Sequence, residues 1–363
     1  MDVLLANNKP KAQAFLDEIE GKRNPLFIAT IATTETGKIP GLSAAGANPD
    51  FTDFTPPADA ELLLLGKCRS IQGVPITPDG IPTPALVTAS ALQVADIPVV
   101  VVNGGVKVKP QVPYIDVNGS PGRDIRTGDA VDNVEEVIER AKVVGEQLAK
   151  VSDYLVIGES IPGGTTTALG VLTAMNVDAH GKVSSTLPTN PHNLKADVVA
   201  AGIKAAAKKF GSFKGDPFKV VSAVGDPMMA AVAGLVIGAS KQGPVLMAGG
   251  TQMTAVLSVI NALDSKALCN VAVGTTRWVA QDKSSDICGI VKQFCDVPVL
   301  AADLDFGPSQ YPGLRIYETG LVKEGVGAGG ASIAAMAKTG GAVTKQILLK
   351  EIERNYASLM QLK

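Results

Sequence analysis

The sequence predicts an α/β fold: a mostly parallel sheet with helices on both faces, and a smaller helical part contributed by the two chain termini. Two observations predict it. Short β-branched runs alternate with longer amphipathic ones, the order expected of repeated strand–helix–strand units. Most of the short runs are apolar throughout, as strands covered on both faces must be. With 363 residues, 46% of them hydrophobic, the chain is long enough to bury such a core.

The strands are expected at Leu26–Thr33, Glu61–Leu65, Pro98–Val102, Tyr154–Ile157, Lys219–Val224, Val245–Ala248, Asn270–Val273 and Val297–Ala301. Helical spacing is clearest over Val131–Lys150, where Val134, Ile138, Ala141 and Leu148 share one side and glutamates fill the rest. Asn193–Phe210 and Val343–Met360 follow the same rule, and Pro10–Glu20 follows it more weakly. Pro40–Pro57 and the proline-rich Gly73–Pro84 read as loops. The expected division is a catalytic domain over 22–340, with 1–21 and 341–363 as terminal helices forming or joining a small helical domain.

Composition removes several classes of function. The formal net charge is −2, the pI is near 5.8 and no basic run is present, whereas nucleic-acid binders need cations to neutralise phosphates. Mean hydropathy is +0.22. Yet the longest apolar stretch, Met228–Ala239, is too short to span a bilayer. No basic-then-apolar leader opens the sequence, so the cytoplasm is the expected location. The four cysteines lack C-x-x-C spacing and read as buried reduced thiols. With two histidines in the chain, a metal cluster or a Ser-His-Asp triad is not expected, and no cofactor is called for.

Three glycine-rich turns join apolar runs to Ala-rich helices: Gly158-Glu159 through Gly163-Gly164-Thr165-Thr166, then Val224-Gly225-Asp226-Pro227, and Gly249-Gly250-Thr251. Read as strand ends, they would share the ligand-binding edge of a parallel sheet. Glycine there lets backbone N–H groups approach an anion, and the helix N-terminus behind it adds a favourable dipole. One such turn by itself means only a tight connection; three together point to an anionic small molecule. None matches a P-loop or the G-x-G-x-x-G dinucleotide fingerprint, which argues against an ATPase and an NAD-dependent oxidoreductase. A fourth element, Lys323-Glu324-Gly325 through Gly330, frames a carboxylate with glycines at the start of a helix over Ala331–Lys338.

These four elements resemble, in order, motifs of the nicotinate-nucleotide–dimethylbenzimidazole phosphoribosyltransferase family, especially its archaeal-type relatives. Gly158–Thr166 is similar to the family's Gly-Glu-Met-Gly-x-Gly-Asn-Thr-Thr loop. Val224–Gly234 resembles its glycine turn and Ala-Ala-x-Ala-Gly helix, and Pro244–Gly249 the strand and turn that follow. Leu321–Ala328 resembles the Leu-Gly-Glu-Gly-x-Gly-Ala element that carries the catalytic glutamate. Thr83-Pro84-Ala85 and Val102–Val106 look like the archaeal-type members. Gly164 stands where the family loop has Asn, Ala248 where an Asp is common, and Asp226-Pro227-Met228 replaces Gly-Phe-Glu.

The resemblance implies a Rossmann-like, homodimeric enzyme that moves the phosphoribosyl group of nicotinate mononucleotide to an aromatic base. It implies Glu324 as the base that takes the acceptor's ring N–H proton, and Glu159 as a second carboxyl near the ribose or the acceptor. Gly163, Gly164, Thr165 and Thr166 would hold the phosphate, with Gly225, Gly249, Gly250, Gly325 and Ser309 as further binding candidates. Lys195 is either an assisting cation or a solvated helical lysine, and Trp278 either a wall for a flat base or a core residue. An accessory or sensor protein that keeps the nucleotide cradle without transferase chemistry is the alternative that the replaced positions raise.

Overall fold

One sheet organises the chain. In the computed structural model, which describes residues 1–43, 49–71, 80–187 and 189–361, its strands are β1 (Val3–Leu5), β2 (Pro25–Ala32), β3 (Val99–Gly105), β4 (Ile115–Asp116), β5 (Tyr154–Ser160), β6 (Val245–Ala248), β7 (Val271–Thr276) and β8 (Val299–Ala302). Their spatial order is β1-β8-β7-β6-β5-β2-β3-β4. Every pairing is parallel except that of β1 with β8. After β2 the chain adds β3 and β4 on one side, then returns to place β5 on the other and continues outward to β8. The direction of growth therefore reverses at the β2–β5 pair, and the crevice at the carboxyl ends of these two strands is where an open parallel sheet binds ligands.

Helices α1 (Lys9–Ile19), α2 (Thr55–Leu65), α3 (Ala85–Val94), α4 (Val134–Ala149), α5 (Gly164–Ala174) and α6 (His192–Phe210) come first. Then follow α7 (Pro217–Val224), α8 (Pro227–Ala239), α9 (Gln252–Asp264), α10 (Arg277–Ala280), α11 (Ile287–Val291), α12 (Pro312–Arg315), α13 (Ala328–Lys338) and α14 (Lys345–Gln361). Alternate strand residues feed two core layers. Ile28, Leu155, Ile157, Met247 and Val273 pack under α4 to α9. Phe27, Ala29, Val156, Leu246 and Ala272 pack under α1 to α3, α13 and α14. Both faces of the sheet are thus covered, the physical reason its strands read as continuously apolar. The terminal helices join the second layer: Phe15 and Ile19 of α1 and Leu348 and Ile352 of α14 are part of its core.

Two expected strands are helices. Glu61–Leu65 is the second half of α2, which Pro56 and Pro57 start. Lys219–Val224 belongs to α7, which Asp216 caps by accepting from the Lys219 N–H and which carries Pro217 in its first turn. A short apolar run has no period of its own, and these start signals outrank it. The third correction follows: Val224–Pro227 is a helix–helix junction, not a strand end. The edge strands β1 and β4 were not expected; three and two residues are too few for a pattern. Part of the expected Pro40–Pro57 loop is the Pro49–Phe54 3₁₀ turn and the start of α2. Positions 44–48, and positions 73–79 of the expected Gly73–Pro84 loop, lie outside the described residues. The thiols are unpaired, but Cys269 is exposed and the other three are only partly buried. Among the described residues no helix is long and apolar enough to cross a membrane.

Helix α8 is buried along its whole length, and glycine lets it press on α4. A Cβ added at Gly234 would lie 2.3 Å from the Ile138 carbonyl oxygen. Gly234→Ala is expected to lower unfolding free energy by about 1–3 kcal/mol through overpacking, to be read from urea denaturation at constant m-value.

Candidate functional site

Strand β5 ends in Glu159 and Ser160, which point to opposite faces. Glu159 lies in register with Thr30 of β2. Its carboxyl is buried, and it is held well above the carboxylate range, first by that burial and then by the charges of Asp226, Glu324 and Asp59. It therefore holds its proton to higher pH than an exposed glutamate does. Beyond it the chain turns through Gly163, at φ 84°, into α5. A Cβ at Gly163 would meet the Gly37 Cα at 2.5 Å, so the loop after β2 and the loop after β5 are pressed together and only glycine fits between them. In the first turn of α5, the Thr166 hydroxyl is buried without a hydrogen-bond partner among the described residues. Thr167 donates to Asp226, which caps α8 by accepting from the Met229 N–H at 3.1 Å.

The Gly249–Thr251 turn after β6 lies between the two glutamates. A Cβ at Gly249 would be 3.8 Å from Glu159 Oε1, and one at Gly250 would be 3.8 Å from the Glu324 Cβ. Gln252, the first residue of α9, leans on the phosphate-loop candidate: a Cβ at Gly164 would be 2.3 Å from its Nε2. Gln252 was not among the residues expected from sequence; its amide packs where a side chain at 164 would begin. Ala248 also packs closely: a Cβ at Gly330 would lie 2.3 Å from its Cβ, and one at Gly327 2.9 Å.

Glu324 sits in a strained loop before α13. Val322 and Val326 adopt φ 52° and 54°, a region that β-branched residues avoid unless the surroundings impose it. The surroundings do. The Thr276 hydroxyl donates to the Lys323 carbonyl and the Thr88 hydroxyl to that of Val326. The Lys323 ammonium meets Asp282 at 2.6 Å, with both side chains more than nine-tenths covered. The Glu324 carboxylate accepts from the Gly325 N–H at 3.2 Å, from the Gly329 N–H at 3.2 and 3.3 Å, and from the Thr275 hydroxyl at 3.4 Å. Burial nonetheless outweighs these donors and pushes the carboxyl up to about 7, where it can gain or lose a proton near neutrality.

Lys195 is not a solvated lysine. It is completely buried, donates to the Ser184 carbonyl and to Asn190 Oδ1, and has no carboxylate partner among the described residues. Burial, with the nearby Lys323 charge, brings it down to about 7. Ser184 in turn donates its N–H to Thr251 Oγ1 at 3.0 Å, which ties this lysine to the Gly249–Thr251 turn.

Other candidates fall away. The Ser309 hydroxyl donates to Glu353 of α14 at 2.7 Å and accepts from the Tyr311 N–H, so it braces the C-terminal helix. The Gly225 N–H is spent inside α7, that of Gly249 on the Gly274 carbonyl and that of Gly325 on Glu324. These glycines provide close approach, not anion donors. Trp278 is a buried core residue: with Phe306 and Tyr317 it forms a three-ring cluster with centroids 4.9–5.4 Å apart. Burial, and after it the charges of Glu324 and Asp59, push the Tyr317 phenol well above its usual range. Asp59, Gln252, Thr275 and Tyr317 were missed because each acts through partners far away in sequence. Among the described residues no group of three or more His, Cys, Asp or Glu side chains is arranged to hold a metal ion.

Comparison with known proteins identifies the family and the fold. A family profile described as Phosphoribosyltransferase (DBI_PRT) matches residues 86–277. A UPF0284 protein of Sulfolobus acidocaldarius is 48% identical over 95% of this chain and 99% of its own. One from Archaeoglobus fulgidus is 47% identical over 95% and 97%. The crystal structure of CobT from Thermus thermophilus superimposes with a TM-score of 0.61 at 17% identity, covering 95% of this chain and 92% of that one. A nicotinate-nucleotide–dimethylbenzimidazole phosphoribosyltransferase from the same organism gives 0.57 at 15%, covering 99% and 95%. The two solved structures share this fold.

The Glu324 geometry predicts a pH signature. Its folded-state pKa of about 7 lies above the ordinary 4.5, so the native state holds the proton more tightly than the unfolded chain. That contribution to stability is complete below pH 4.5 and is lost as pH rises through 7. The stability of wild type relative to Glu324→Gln should therefore fall between about pH 4.5 and 8 by on the order of 1–3 kcal/mol, measured by paired urea titrations.

Proposed function

The chain belongs to this phosphoribosyltransferase family, and from that premise we propose that it transfers the 5-phosphoribosyl group of nicotinate mononucleotide to a ring nitrogen of a benzimidazole-like or purine base. The product would be an α-ribazole phosphate-type nucleotide, the form used as a cobamide lower ligand. The observation that carries the reading is a carboxyl poised near pH 7, Glu324, fixed beside the same glycine turn as the buried Glu159.

In this reading the bond from C1′ to the nicotinate nitrogen breaks as the bond from C1′ to the acceptor nitrogen forms on the opposite face, with inversion. Nicotinate leaves with the bonding electron pair as a neutral pyridine ring, so its departure needs no acid. The acceptor's other ring nitrogen carries a proton that must leave, and Glu324 in its carboxylate form takes it. The same negative charge stabilises the positive charge that builds on the attacking ring. Glu159, whose burial favours the protonated form, would then have an O–H to donate to a ribose hydroxyl. The phosphate is assigned to the N-terminus of α5, where Gly163, Gly164, Thr165 and the unpartnered Thr166 hydroxyl meet the helix dipole. Lys195 is assigned as a nearby cation, whose ammonium form an arriving dianion would stabilise. Residues 22–340 form the catalytic unit of this reading, with the terminal segments docked on it, and the resemblance to the family implies a homodimer.

A carrier of only a nucleotide cradle would have no reason to keep Glu324 poised. Incubation with nicotinate mononucleotide and a panel of aromatic bases, followed by mass spectrometry, should yield free nicotinate and a base-linked ribotide in equal amounts. Glu324→Gln should lower kcat by roughly 10²–10⁴ with the fold intact. The wild-type kcat/KM should climb as pH passes through about 7, and the variant should lack that limb. No nicotinate release with any base, or normal turnover in the variant, would remove the assignment.

A further inference from the structure

Two carboxylates on α2 have opposite fates. Glu61 and Asp59 are both buried. Glu61 accepts from four donors: the Arg69, Ser70 and Gln111 N–H groups at 2.6, 2.7 and 2.9 Å, and the Ser70 hydroxyl at 2.5 Å. A carboxylate has about four lone-pair sites, so Glu61 is saturated and works as a clamp on the loops around it.

Asp59 has half as many. Ser160 donates to its Oδ2 at 2.7 Å and Thr83 to its Oδ1 at 3.0 Å. Thr83 Oγ1 already accepts from the Ala85 N–H, so its own proton is directed at Asp59. Both hydroxyl donors therefore favour a carboxylate that accepts. Among the described residues no cation and no backbone N–H completes the set, although a buried carboxylate is costly until its remaining lone pairs are filled.

The position of Asp59 indicates what fills them. Ser160 is the neighbour of Glu159 at the carboxyl end of β5. Thr83 precedes Pro84, which lies against Gly325: a Cβ there would be 3.2 Å from the Pro84 Cγ. Asp59 acts electrostatically on Glu159 and on Tyr317, and Glu324 acts on the same Tyr317. Tyr317 donates its phenol O–H to the carbonyl of Pro82, the residue before Thr83, at 2.8 Å, which brings the under-filled carboxylate up to the aromatic cluster.

Building on the transferase reading above, we infer that Asp59 is a specificity-determining residue of the acceptor subsite, taking a hydrogen bond from an N–H group that the acceptor base carries beyond its reacting ring. A base with an exocyclic amine supplies that donor; a base with methyl groups in its place leaves the carboxylate unfilled. A site built around a hydrogen bond discriminates strongly against a ligand that lacks it, because its own polar group is stranded.

The test compares kcat/KM for adenine, as the amine-bearing probe, with that for dimethylbenzimidazole, in the full-length wild type and in Asp59→Asn. Asn keeps the shape and one acceptor oxygen but can present an NH₂ to the amine, so the adenine-to-dimethylbenzimidazole ratio should fall at least roughly tenfold. A cooperative melt checks folding. If Asp59→Asn does not fold, Ser160→Ala, which frees one carboxylate oxygen from its fixed orientation, should move the ratio in the same direction by a smaller factor. A ratio within about threefold of wild type in the folded variant, while both bases still react, overturns the inference and leaves the transferase reading standing. Wild type that turns over neither base overturns both.

Discussion

The carboxyl edge of this sheet depends on how closely α13 approaches it. A Cβ at Gly329 would lie 2.0 Å from the Thr275 carbonyl carbon, and one at Gly330 would lie 2.3 Å from the Ala248 Cβ. From the sheet side, a Cβ at Gly274 would come within 2.9 Å of the Gly330 Cα, and one at Gly158 within 3.3 Å of the Gly327 Cα. Five glycines and an alanine strip the side chains from both surfaces, and the backbone of the helix start settles onto β5, β6 and β7. Only then do Gly329 and Thr275 reach the Glu324 carboxylate from two sides. A single methyl group in this contact would lift the helix, and the glutamate with it.

That close seat also sets the electrostatics. Asp59, Glu159, Asp226 and Glu324 are gathered around one crevice, and burial raises all four. Their nearest buried cations are otherwise committed. Lys323 is paired with Asp282, and Lys195 is held by carbonyl and amide oxygens. Buried acids without counter-ions keep their protons to higher pH, so these four hold theirs to higher pH than exposed carboxyls do. The strain in the Val322 and Val326 backbone has the same origin: the loop is fixed at both ends by buried hydrogen bonds and an ion pair, and the carboxylate is oriented at a cost in conformation.

Much of the fold was legible from local pattern. β2, β5, β6, β7 and β8 fall within two residues of the expected starts, because strands buried on both faces have no polar positions to blur them. The failures were Glu61–Leu65 and Lys219–Val224, where a handful of mostly apolar residues fits a buried helix as well as a strand. The proline and Asp216 start signals just ahead of them were the cues that were available. Glu324 and Glu159 were legible because motifs are local. Ser309 was not placed correctly, because nothing near it in sequence shows that Glu353, 44 residues away, takes its hydroxyl.

By itself, the order of apolar runs and glycine turns determined the parallel sheet, its two covered faces and the two glutamates at its edge, since each is written within a few consecutive residues. Tertiary structure alone decided which carboxyls lie close together, which glycine N–H groups are already spent, and that Lys195 is buried with no carboxylate bonded to it among the described residues. Proton affinity and hydrogen-bond vacancy are properties of surroundings, and the surroundings of Asp59 come from positions 24 and 101 residues away. No stretch of chain short enough to read as a motif contains them.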